Sequence, residues 1–196
     1  MSSWGAVEGS EALPKFLTTA QQKDVFANQS GWVVEAGSAM TGNGNTSADP
    51  EVLVAIRGLA GASGTTGLGE ATINTVDWNI TTFDKSAGGT LSVTVRYNET
   101  VTVAVSNPTI IVTNDQRANH TLTYASGTGT HELTFTLAIA AANAATNADD
   151  VLSIAAQSVV LASSSTIKDT SDTPANAELA ISSAQGTACG SITVVA

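Results

Sequence analysis

Between Thr90 and Val105 apolar residues hold every odd position except Glu99, and polar or small residues hold the even ones. A strand turns its side chain over at every residue, so this run predicts a half-buried antiparallel strand rather than a helix. Leu91, Val93, Val95, Tyr97, Val101, Val103 and Val105 would enter one core, with Ser92, Thr94, Arg96 and Thr102 in water.

The β pattern recurs. Ile73, Val76, Trp78 and Ile80 open an earlier strand, and Pro108 separates the long run from Ile110-Ile111-Val112. Residues 121–124 and 132–139 flank Ser126-Gly127-Thr128-Gly129, a hairpin with glycines where positive φ is needed. Counted back from that tip, Tyr124 pairs with His131 and His120 falls near Phe135. The segments 151–154, 158–161, 178–181 and 192–195 complete roughly seven to nine short strands, which describe a sandwich. Residues 138–148 are Ala-rich, but Asn143, Thr146 and Asn147 interrupt them, and they are read as a crossing loop.

Residues 1–70 read differently. Thr18 or Thr19 can cap a helix with Gln21 or Gln22 as capping-box partner, which predicts a short helix running into Lys23-Asp24-Val25-Phe26-Ala27. Gly31-Trp32-Val33-Val34, a polar loop over 42–49 and a strand over 51–56 follow. The glycine-rich passage 58–69 marks a boundary; without the Lys-Ser/Thr ending of a P-loop it reads as a linker. The expected organisation is a mixed docking segment at 1–70, an all-β sandwich at 71–183 and a C-terminal strand or tail at 184–196.

Charge and composition narrow the function. Seven Lys and Arg stand against 17 Asp and Glu, a formal charge of -10, which would repel a phosphate backbone and argues against nucleic acid. No stretch has the length of a membrane span, and the first residues have neither a basic nor an apolar signal region, so a soluble chain assembled in a cytoplasm is expected. Cys189 is the one cysteine and can form no internal disulfide.

Candidate chemistry is sparse. His120 and His131 bracket the hairpin and are expected to be exposed, too far apart to share a metal. No Ser-His-Asp order or nucleophile elbow occurs, so no catalytic residue is assigned and an enzyme is not expected. Asp169 and Asp172 lie in a loop and can offer oxygens to Ca²⁺, or can be solvated acids, as can Asp149 and Asp150. Trp4, Phe16, Phe26 and Trp32 are the one aromatic concentration. They form either a small local core or anchors in a groove on a partner, where a large ring buries much area at low entropic cost.

The motifs 89–103, Leu122-Thr123-Tyr124-Ala125-Ser126-Gly127 with 128–135, and Thr166-Ile167-Lys168-Asp169 resemble the bacterial Ig-like repeats of large surface and adhesive proteins. Residues 4–18, Lys23-Asp24-Val25-Phe26-Ala27, Gly31-Trp32-Val33, Thr41-Gly42-Asn43-Gly44-Asn45 and 49–56 are similar to the N-terminal part of small virion structural proteins of tailed phages, notably of marine and cyanobacterial hosts. These resemblances imply an Ig-like Greek-key sandwich behind a particle-binding segment. They imply a capsid decoration (cement) protein on the virion exterior, bound to the major capsid protein lattice, present in many copies and able to touch host-surface glycans. A tail-fibre or baseplate location is the alternative within that class. A bacterial surface adhesin or matrix module binding Ca²⁺ and carbohydrate is the alternative outside it.

Overall fold

The computed structural model describes residues 13–60, 67–105, 107–171 and 173–196. Its front begins with one 3₁₀ turn, Gln21–Asp24, then β1 (Val25–Asn28), β2 (Gly31–Val34) and β3 (Glu51–Ala55). The expected capping pair forms: Thr18 Oγ1 accepts from the Gln21 amide at 3.3 Å and Gln21 Oε1 accepts from the Thr18 amide at 2.9 Å. The helix stops after that turn, because the β-branched and aromatic run Val25-Phe26 pairs in register with Val34 and Val33 instead. The predicted helical continuation is therefore a strand.

From residue 71 the chain is β-rich, as expected. β4 (Ile73–Trp78), β5 (Phe83–Asp84), β6 (Gly89–Ala104), β7 (Thr109–Asn114), β8 (His120–Ser126), β9 (Thr130–Ile139) and β10 (Val151–Ser153) come first. β11 (Gln157–Ser158), β12 (Thr166–Asp169), β13 (Ala180–Ile181), the helix α1 (Ser183–Cys189) and β14 (Ser191–Val195) follow. Among the described residues twelve strands join one hydrogen-bonded sheet running β3-β2-β1-β6-β9-β8-β7-β10-β14-β5, with β4 and β12 also paired to β6. The β14 end of this sheet contributes to the same core as β6 and β9, giving an all-β sandwich: Leu91, Val93, Val95, Tyr97, Phe135, Leu122, Ile110, Leu152, Ile192 and Val194 belong to a single buried cluster.

The odd positions of β6 are buried from Leu91 to Val101, and Leu133 and Phe135 with them; Leu137 packs at the margin and Val105 points to solvent. The even face is not simply wet. Thr94 is buried beneath Asn79, which donates to its hydroxyl at 2.9 Å, and Arg96 is half-buried between two carboxylates.

The hairpin register differs from the expectation: Tyr124 faces Phe135, not His131. A bulge between Tyr124 and Ser126 lengthens the tip, and the tip is tied to β6 as well as closed on itself: Gly129 N donates to Val101 O at 2.8 Å and Thr130 N to Gly127 O at 3.0 Å. Gly127, at φ +113°, stands where a Cβ would meet the Glu132 carbonyl at 1.8 Å, so only glycine fits.

Within residues 184–196 the expected C-terminal strand forms, and it belongs to the sandwich core rather than to a tail. α1 carries the capping box Ser182/Gln185, and β14 pairs with β10 and β5 while burying Ile192 and Val194. A second buried cluster, Leu17, Val25, Ala27, Trp32, Val34, Leu59 and Ala60, belongs to the front module, with Leu68 packed on it. The two cores divide near residue 70.

Candidate functional site

The front module meets the sandwich along β1 and the start of β9. Ala27 of β1 pairs in parallel with Glu99 of β6, and the Phe26 ring stacks on the His131 imidazole, centroids 4.4 Å apart at 15°. Strand alternation in β1 thus sends Phe26 to the seam while Val25 and Ala27 fill the module's own core. Both histidines are buried, contrary to expectation. His131 lies under the stacked Phe26 ring of the front module, and His120 lines a cavity shared with residues 116–119 and 144–145.

Beside the seam lies an open cavity of about 490 Å³, lined by Phe26, Glu35, Thr100, Thr130, His131 and Glu132 among others. Glu35 directly follows β2, and its Oε2 lies 3.7 Å from His131 Nε2. The Lys23 carbonyl lies 3.4 Å from the same nitrogen. Arg96 Nε donates to Glu132 Oε1 at 2.6 Å, and Arg96 Nη1 to Asp77 Oδ2 at 2.7 Å; Lys23 pairs with Asp77 from the front module. An ionic chain therefore crosses the seam.

Burial, then the neighbouring Glu132 and Asp24 carboxylates, push the Glu35 carboxyl up to about 7 against the opposing pull of Arg96. Burial holds the His131 imidazole below its ordinary value, favouring the neutral ring that can ligate a metal. Asp77 is held low: burial opposes ionisation, but hydrogen bonds from Lys23 and Thr75 and the charges of Lys23 and Arg96 outweigh it. One ligand atom each from Glu35, His131 and Glu132 lie within 4.8 Å of one another.

The other side of the seam holds a second acid. Glu99 is buried, its Oε1 has no hydrogen-bond partner, and burial together with the Asp169 carboxylate pushes its carboxyl up to about 8.

The sequence-predicted residues are dispersed. Phe16 stands exposed, Phe26 is buried against His131, and Trp32 is buried in the front core with its Nε1 unpartnered. Trp4 and Asp172 lie outside the described residues. Asp169 is buried and already occupied: Oδ1 accepts from Ser171 N and Oγ at 3.0 and 2.6 Å, and Oδ2 from Ala175 N at 3.0 Å, so the carboxylate closes the 169–175 loop. Asp150, expected in water, is buried, with Oδ2 accepting from Asn114 Nδ2 at 2.9 Å. Cys189 is half-buried and its thiol is pushed up to about 11 chiefly by burial, which makes it a poor nucleophile.

No local sequence signal marks Glu35, an acid that follows a short strand; the pairing of β1 with β6 sets the front module beside β9 and so brings it to His131. Among the described residues no helix is long and apolar enough to cross a membrane. No protein-family model matches the chain, and neither a curated protein nor a solved structure matches it.

Proposed function

We propose that the protein is a structural component of a tailed-phage virion, a decoration protein on the capsid exterior whose front module sits on the shell and whose acidic sandwich projects. The observation that carries this reading is the division into two cores near residue 70. The segment similar to virion proteins coincides with the small front core, and the Ig-like segment with the large one. A module with so small an apolar cluster gains stability from a partner surface.

The attachment surface is also narrower than the aromatic residues alone implied. With Phe26 and Trp32 turned inward, Phe16, 69% exposed, is the described aromatic anchor, and β3 with its exposed Val52 is an edge strand able to accept a partner backbone. Immunogold labelling of purified tailed-phage particles tests the reading. Gold distributed over the capsid surface is expected; gold on the tail would move the protein to the fibre or baseplate, and unlabelled particles would overturn a virion role.

A further inference from the structure

We propose that Glu35, His131 and Glu132 hold a divalent transition-metal ion of the zinc class, which clamps the front module to the sandwich. The donor set is one imidazole nitrogen and two carboxylate oxygens, gathered from both modules within 4.8 Å of one another. A zinc-class ion binds such atoms at about 2.0–2.2 Å, which places donors roughly 3.3 Å apart, so side-chain movements of about 1 Å close the set. Calcium and magnesium favour oxygen alone, whereas imidazole selects the borderline metals.

The surroundings are those a metal site needs. Arg96 holds Glu132 by Oε1 at 2.6 Å, which leaves Oε2 to ligate. The stacked Phe26 ring fixes the plane of His131; ligation through Nε2 gives up that nitrogen's 3.4 Å contact with the Lys23 carbonyl and moves the ring proton to Nδ1. The Glu35 carboxylate accepts no hydrogen bond from any described residue, and its Oε2 stands 3.7 Å from His131 Nε2. The cavity supplies an entry path and leaves a further coordination position open to water. An ion here would also neutralise the repulsion among Glu35, Glu132 and Asp24, which Arg96, shared with Asp77, only partly offsets.

This inference is independent of the virion reading. Equilibrium dialysis of the full chain against Zn²⁺, with thermal melts before and after chelation, tests it. Wild type should bind one Zn²⁺ per chain and melt at a higher temperature with it, an effect that EDTA reverses and equal Ca²⁺ does not produce. Glu35→Gln, whose side chain is 35% exposed and so tolerates substitution, should fold normally by dichroism and lose affinity by about tenfold or more. His120→Gln should bind as wild type does. Co²⁺ should give visible ligand-field absorption with wild type and lose it with Glu35→Gln. Absence of Zn²⁺ binding by wild type, equal binding by Glu35→Gln, or loss of binding in His120→Gln would each overturn the proposal.

Discussion

Replacing Glu99 by Gln should flatten the pH dependence of stability. In the unfolded chain this carboxyl titrates at its ordinary 4.5; in the fold burial and Asp169 raise it to about 8. Between those values the folded state holds a proton that the unfolded state has released, so stability is fully present below 4.5 and falls as pH rises through the window. At 1.36 kcal/mol per pKa unit, the contribution lost between pH 5 and pH 8 is about 3 kcal/mol, of which about 1 kcal/mol falls between pH 7 and pH 8. Glu35, raised to about 7, acts in the same direction, and the depressed imidazoles of His120 and His131 act oppositely below their ordinary value. All three are retained in the variant, so the difference between the two proteins isolates Glu99. Urea unfolding at pH 5, 6, 7 and 8 measures it. The reasoning is refuted if the stability difference between wild type and Glu99→Gln stays constant across that range.

Other consequences concern the core and its limits. Phe135→Ala should cost about 3–5 kcal/mol in urea unfolding, since Phe135 is fully buried, while the half-buried Thr134→Ala should cost less than about 1 kcal/mol. A fragment spanning 67–196 should show a cooperative β-type melt by far-UV dichroism, and one ending at 183 should not, because it lacks β14 with Ile192 and Val194; equal folding of both would contradict the core described.

The odd-position run 91–101 was legible because β6 is paired on both sides and its alternation is set by one large core. What failed to be legible was the tertiary part. The hairpin tip binds β6 through Gly129, so counting from the glycines misplaces Tyr124 by several residues. His131 reads as exposed because the ring that covers it, Phe26, comes from the distant front module. The capping box Thr18/Gln21 was legible and correct, yet Val25-Phe26 gains more from pairing with β2 than from continuing a helix. α1 carried the same kind of signal at Ser182/Gln185, masked by Gly186 and Thr187, poor helix formers; Gly186 is needed because a Cβ there would meet the Ile154 carbonyl at 2.3 Å. The inward turn of Phe26 and Trp32 left no mark in the local sequence.

Cosedimentation with undecorated tailed-phage capsids tests the division of labour most directly. Full-length protein should pellet with the particles, Phe16→Ser should pellet less, and the 67–196 fragment, folded by dichroism, should remain in the supernatant. Pelleting of that fragment to the same extent as the full chain, or failure of the full chain to pellet at all, would contradict the account.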